Sequence, residues 1–325
     1  MAAAEPQQPS LIAVCGATGK QGGSVVDALL ARGGGRFAVR GVSRNATSPK
    51  AKALASRGVE LACADFDDPA SLRRAFDGAH GAFCVTNFWQ DADPSHEVRQ
   101  AAALADACAA AGVRHAIWST LEDTRVMSPP GQRMPAIGAS SVPHFDGKGE
   151  ADDLFRKSGV PTTFLRTSFF FDNFLPAAGL GLAPRRAGPG QPLVLSLPMP
   201  RGAKLAGIAV ADIGGCAAGI FLDPDATIGK TIGIAGDHLS GEEYADAFSK
   251  VLRVDVSYEA VDVQTYRASG APGAEDMANM FQYYADFEAP FLAARDLAAT
   301  RRLNPQLRSF EAWLREHEAD FAQLL

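Results

Sequence analysis

Residues 15–23 read Cys15-Gly16-Ala17-Thr18-Gly19-Lys20-Gln21-Gly22-Gly23, and the fold turns on how this glycine-rich stretch is read. A triphosphate-binding loop needs a glycine, four residues, then Gly-Lys-Ser/Thr, whose hydroxyl holds magnesium. Here Gly19-Lys20 is followed by Gln21, and Val14 stands five residues before Gly19, so that reading fails. The glycines at 16, 19 and 22 instead follow a G-x-x-G-x-x-G spacing between a predicted strand and a predicted helix. That placement lets the backbone turn tightly, approach a pyrophosphate and aim helix N–H groups at it. A tight strand–helix turn without a ligand would use the same glycines, so the surrounding chain has to decide.

Outward from the loop, short apolar runs alternate with helical patterns. The runs are Leu11–Cys15, Phe37–Ser43, Val59–Ala64, Gly81–Thr86, Val113–Ser119 and Pro161–Thr167. They lack full polar alternation, as strands covered on both faces do. Ser48-Pro49, Asp68-Pro69 and Asp93-Pro94 each set a capping side chain before a proline at a first helical position. Gly58 and Gly112 stand where helices should stop. Strand–helix alternation predicts an α/β fold with a doubly wound parallel sheet. After residue 170 the rhythm breaks. Residues 181–204, rich in Gly and Pro, predict an irregular hairpin. Asp212 is expected to cap a helix running to Leu222, and 240–325 reads as several helices with a short strand near Val254–Tyr258. The expected organisation is a disordered tail over 1–10, a nucleotide-binding domain over 11–170 to which 205–223 returns, and a smaller, mostly helical lobe over 171–325.

The net charge of -6 gives no basic field for nucleic acid or an anionic membrane, and the Arg pairs at 73–74, 185–186 and 301–302 are isolated. Five scattered cysteines (15, 63, 84, 108, 216), odd in number and without C-x-x-C spacing, point to a reducing compartment. The start of the chain has no basic n-region or long apolar run, and no apolar run reaches transmembrane length, so a cytoplasmic protein is expected.

The end of the second strand tests the cofactor type. An NAD site usually places an acid there for the ribose 2′-hydroxyl. This chain has Ser43-Arg44-Asn45, whose guanidinium and hydroxyl suit a 2′-phosphate, and the expected cofactor is NADP(H). Hydride transfer to a carbonyl also needs a proton donor, in short-chain dehydrogenases a Tyr-x-x-x-Lys dyad. All five tyrosines (244, 258, 266, 283, 284) lie beyond residue 243, so the dyad is absent from its usual place. His144 and Lys148 stand there instead, four apart and on one face if a helix begins at that point. They are the weak catalytic candidates; a packing role for His144 is the stronger reading. The other histidines show no paired ligand spacing, and no metal site is expected.

Taken together, Gly16–Val25, Ser43-Arg44-Asn45, Val85-Thr86-Asn87-Phe88-Trp89, His144–Glu150 and Phe170-Phe171-Asp172-Asn173 resemble the NmrA-like family of atypical short-chain dehydrogenases. The resemblance extends through Leu195–Pro198 and Ala278–Phe281 to the final helix. It implies a Rossmann fold binding NADP(H) with a smaller C-terminal lobe. It also implies a redox sensor or regulator acting through protein partners, in the cytoplasm and also the nucleus, although other branches of the family are reductases. By position, Gly16, Ala17, Thr18, Gly19, Lys20, Gln21 and Gly22 would hold the pyrophosphate, Arg44 and Asn45 the 2′-phosphate, and Asp65 and Phe66 would flank the adenine. Thr86, Asn87 and Phe88 would line the cofactor, and Lys148, Phe170, Phe171, Asp172 and Asn173 would close around the nicotinamide. Arg99, Phe88 and Phe170 depart from the family, standing where a lysine and two tyrosines are usual.

Three functions compete at this stage. The first is an NADPH-sensing binding protein with loop 121–143 as a lid and an unidentified protein partner. The second is an NADPH-dependent reductase of quinones, enones or similar acceptors. The third is an interaction module with a vestigial site. A homodimer is compatible with each, whereas direct nucleic-acid binding and membrane association are not expected.

Overall fold

The computed structural model describes residues 8–128, 134–186, 188 and 190–324. Most of the expected tail and the middle of the expected lid lie outside these residues.

Six strands fall on the six apolar runs: β1 (Ser10–Cys15), β2 (Phe37–Ser43), β3 (Glu60–Cys63), β4 (Gly81–Cys84), β5 (His115–Thr120) and β6 (Thr162–Arg166). They are followed by β7 (Phe169–Phe170), β8 (Arg185–Arg186), β9 (Leu193–Leu197), β10 (Lys204–Ile208), β11 (Thr231–Gly233), β12 (Asp237–Ser240) and β13 (Val256–Ala260). The large sheet has the order β11-β6-β5-β4-β1-β2-β3. From β3 to β6 every pairing is parallel. The chain winds outward from β1 to β3, then crosses to β4 and winds the other way. The order therefore reverses between β1 and β4, which opens the crevice where dinucleotides bind in such sheets.

The helices that make these crossovers start where the sequence says they should. They are α1 (Lys20–Arg32), α2 (Pro49–Ala55), α3 (Pro69–Phe76) and α4 (Pro94–Ala110). Ser48, Asp68 and Asp93 each accept a backbone N–H of the first turn, with the proline at the start of the helix. Each such cap contributes about 1 kcal/mol. Next come α5 (Thr124–Met127), α6 (Pro143–Lys157) and α7 (Val210–Leu222). Between the sheet and its helices the core gathers Cys15, Phe76, Cys84, Cys108, Trp118 and Phe155, all fully buried, with the Trp118 and Phe155 rings stacked at 4.8 Å.

Two compact units are formed. The first comprises Met1–Leu121, Gly147–Arg166 and Ile213–Ile232; the second comprises Glu122–Asp146, Thr167–Asp212 and Gly233–Leu325. The expected boundary at 170/171 is thus placed differently: segment 122–146 joins the second unit, and the return to the first is 213–232. Asp212 does not cap α7 but lies in its first turn. Its carboxylate is taken by Asn304 Nδ2 at 3.0 Å and Arg308 Nη1 at 2.8 Å, so a tertiary partner displaces the local capping role.

In the second unit two small sheets, β12-β10-β7 and β13-β9-β8, lie beside the C-terminal helices. The irregular stretch does form a hairpin, with β8 and β9 antiparallel. Phe171, Phe174, Tyr244, Phe248, Phe310 and Trp313 make an aromatic core. No helix among the described residues is long and apolar enough to cross a membrane.

Candidate functional site

At the carboxyl end of β1 the chain turns through Gly16, whose φ of +60° is a left-handed conformation glycine adopts without penalty. The Gly19 amide donates to the Gly16 carbonyl at 2.8 Å, closing the turn. A Cβ on Gly22 would run into the carbonyl oxygens of Gly16 and Cys15, so only glycine lets α1 approach β1 this closely. Gly19 caps α1 without a side-chain bond, and the first turn carries no acid. The positive end of a 13-residue helix therefore faces the loop with no anion of its own. Gln21 Oε1 accepts from Ser119 Oγ at 2.8 Å, tying the loop to β5. Ala17 is buried, Lys20 is exposed, and Thr18 Oγ1 lies 3.5 Å from Ser43 Oγ.

Beyond β2, Arg44 and Asn45 are exposed. Arg44 Nη1 donates to Gln90 Oε1 at 2.7 Å, and Asn45 Oδ1 accepts from the Thr47 amide and hydroxyl at 3.0 and 2.8 Å. After β3, Asp65 Oδ1 accepts the Asp67 amide at 3.1 Å, and Phe66 packs partly buried against the core. His96 Nε2 lies 2.7 Å from Asp67 Oδ1, and its Nδ1 pairs with Asp91. Asp91, then Asp67, raise the His96 pKa, while the imidazole is the largest influence holding both carboxylates low. Arg44–Gln90 and His96–Asp67–Asp91 thus cross-link the loops that follow β2, β3 and β4.

On the other side of the reversal stand Thr86, Asn87 and Phe88. Phe88 is buried, with its ring edge-on to the half-exposed Trp89 at 5.1 Å; Asn87 is exposed. Lys148 Nζ pairs with Glu97 Oε1 and donates to Thr86 Oγ1 at 3.1 Å and to the Thr86 carbonyl at 3.3 Å. Thr86 Oγ1 in turn donates to Glu97 Oε1 at 2.7 Å. The three protons of the ammonium thus meet three oxygens, in surroundings that leave the Lys148 side chain 11% and the Glu97 side chain 1% exposed. Arg99, on the same helix as Glu97, points out to solvent and lies 3.8 Å from Asp93.

The remaining candidates belong to the second unit. His144 and Lys148 do share one helix, α6, yet His144 is assigned to the second unit and Lys148 to the first. His144 Nδ1 is 2.7 Å from Asp276 Oδ1, and its ring stands edge-on to Phe145. Phe170 is half-buried in β7. Phe171 is fully buried among Tyr244, Phe310 and Trp313, as a core residue is. Asp172 Oδ2 accepts the Val210 amide at 2.9 Å; Asn173 is half-buried.

The tyrosines have structural duties. Tyr244 and Tyr258 donate to the backbone carbonyls of Leu205 (3.2 Å) and Met199 (2.6 Å), and burial pushes both phenols up. Burial does the same to Tyr284. Among the described residues no group of three or more His, Cys, Asp or Glu is arranged to hold a metal.

Sequence reasoning missed Glu97, Gln90 and His96. An acid in the first turn of a helix is ordinary dipole complementation on a solvated face, so nothing in the sequence separates Glu97 from such residues.

Among known proteins, the NmrA-like family profile matches residues 8–314. The NmrA-like family domain-containing oxidoreductase malD of Malbranchea aurantiaca is 30% identical over 76% of this chain and 74% of its own. NmrA, a negative transcriptional regulator solved in complex with NADP, superposes with a TM-score of 0.81 at 24% identity, covering 98% of this chain and 99% of that one. The NADPH-dependent quinone oxidoreductase QOR2 of Escherichia coli, solved with NADPH, gives a TM-score of 0.71 at 23% identity, covering 94% and 99%. Profile and fold agree over nearly the whole length, and the chain belongs to the NmrA-like family.

Proposed function

We propose that the first unit binds NADP(H) and that the protein works as a cofactor-sensing regulator acting through a protein partner, without a tyrosine-dependent hydride-transfer step. The residues fit the cofactor. The glycine turn and the uncapped start of α1 offer N–H groups to a pyrophosphate. Arg44 stands exposed at the end of β2, where the two residues that follow Ser43 are Arg and Asn and carry no acid. When bound, the nicotinamide supplies or accepts a hydride.

One observation supports binding over chemistry. The Lys148 ammonium is engaged with Glu97 and Thr86, and no tyrosine lies in the first unit to work with it. The five tyrosines all belong to the second unit, and those with raised pKa values are poor proton donors near neutral pH. Titration with NADPH, NADP⁺ and NADH, followed by tryptophan fluorescence, tests the reading. NADP(H) binding well above NADH, with no steady NADPH oxidation across a panel of carbonyl, enone and quinone acceptors, is the expected result. Absence of binding by all three refutes it.

A second reading, an NADPH-dependent reductase, has its own support. The buried His144–Asp276 pair holds an imidazole in a set orientation, as proton-transferring histidines are held. Relatives such as malD carry the name oxidoreductase. Steady turnover of an acceptor, reduced at least tenfold in His144→Gln, would favour this reading over the first.

A further inference from the structure

Glu97 is a carboxylate with compensation on one side only. Its Oε1 takes Lys148 Nζ and Thr86 Oγ1, whereas Oε2 is buried without a hydrogen-bond partner among the described residues. The reason for the close fit is Gly147. A Cβ there would lie 3.1 Å from Glu97 Oε2 and 3.3 Å from Pro94 Cα, so a larger residue before Lys148 would push against the carboxylate. The first unit thus leaves room beside Lys148 for a charged acid that touches solvent almost nowhere. A buried carboxylate in such a place is expensive unless it faces a cation, and a buried ammonium without its carboxylate is equally so.

We propose that Glu97 is a positioning residue for Lys148. It fixes the ammonium beside Thr86, at the carboxyl end of β4. That this end of the crevice receives the nicotinamide half rests on the cofactor reading above; the Glu97–Lys148 dependence does not. In a site of this kind the sign and place of one charge beside the nicotinamide bear on how the oxidised, positively charged ring is tolerated. Glu97 offsets the Lys148 charge there.

The test is the pH profile of Lys148 acylation by acetic anhydride, read by peptide mass spectrometry in the full chain. The profile is compared between wild type, Glu97→Gln and Glu97→Asp, with the exposed Lys250 as internal control. An ammonium that loses its carboxylate in a buried place gives up its proton more readily. In Glu97→Gln the Lys148 profile should move to lower pH by about one unit or more, a roughly tenfold faster labelling at a given pH. Glu97→Asp should recover part of the shift, and Lys250 should not move. Mere loosening would scale the curve without displacing it, and an undisplaced curve overturns the proposal. Should Glu97→Gln fail to fold, the double variant Glu97→Gln/Lys148→Met decides. Recovery of folding supports an unpaired ammonium as the fault, and failure to recover overturns it. Labelling needs no cofactor, so a chain that shows the shift yet binds no NADPH refutes the cofactor reading alone.

Discussion

Replacing Asp152 by asparagine should change how the stability of the first unit depends on pH. The Asp152 side chain is 4% exposed and accepts Thr120 Oγ1 at 2.7 Å, with Arg156 and Arg166 at 3.7 and 3.8 Å. Burial is the largest influence and outweighs these partners, raising its pKa from 3.8 to about 6. Because the folded value is raised, the native state keeps a proton that the unfolded chain has lost across that window. The stabilising contribution is therefore full below the unfolded value and is lost as pH rises through about 6. Two pH units at ~1.4 kcal/mol each make this about 3 kcal/mol.

His115 opposes it. It is buried, 2.8 Å from Thr163 Oγ1, and burial lowers its pKa from 6.5 to about 4. Its contribution is present above the unfolded value and is lost as pH falls through about 4. The two slopes oppose each other between about pH 4 and 6, so the whole-protein profile does not isolate either. Urea unfolding of wild type and Asp152→Asn at a series of pH values isolates the Asp152 contribution. Wild type minus variant should fall by about 3 kcal/mol on going from acid to neutral pH. Parallel curves for the two proteins would refute the reasoning.

Other outcomes follow from the same geometry. Gly22→Ala should weaken NADPH binding by about 100-fold or more, because its Cβ meets the carbonyls of Gly16 and Cys15; unchanged affinity in a titration would contradict this. Arg44→Ala should weaken NADPH by about ten- to a hundredfold and leave NADH alone, since a charge-assisted bond to phosphate contributes about 1.5–3 kcal/mol. Arg295→Met, which removes the bonds from Nη1 and Nη2 to the buried Glu122 at 2.9 and 3.0 Å, should cost about 3–5 kcal/mol in chemical unfolding, with Glu122→Gln restoring part of it. The His96 clasp is present below the ordinary histidine pKa and is lost as pH rises through its raised folded value. Amide protection factors over residues 65–68 and 88–93, with the intrinsic pH dependence divided out, should therefore fall on the alkaline side, and His96→Asn should remove that fall.

Much of this protein can be read from local chemistry. The Asp-Pro and Ser-Pro pairs place helix starts because a side-chain oxygen and a fixed φ act within one turn. The apolar runs place β1, β4, β5 and β6 because strands covered on both faces tolerate little else, whereas β3 lies at the sheet edge with none of its four residues buried, so burial on both faces does not explain it. Gly16 and Gly22 were legible because positive φ and close backbone approach each demand glycine. Ser43-Arg44-Asn45 shows by its chemistry alone that no carboxylate awaits a ribose at the end of β2.

What the tertiary structure decided is which charges meet. Glu97 and Lys148 are 51 residues apart, His96 and Asp67 29, and Glu122 and Arg295 173. No periodicity records such distances, because each pairing depends on where crossovers return the chain. Asp212 makes the same point in reverse: its local pattern predicts a cap, and Arg308, 96 residues away, takes the carboxylate instead. Phe171 reads equally well as a cofactor wall or as core, and only the ring packing of Tyr244, Phe310 and Trp313 around it fixes its place. Local rules determined the elements and the glycine loop; the burial of distant charges, which only a closed fold can arrange, determined the polar wiring around it.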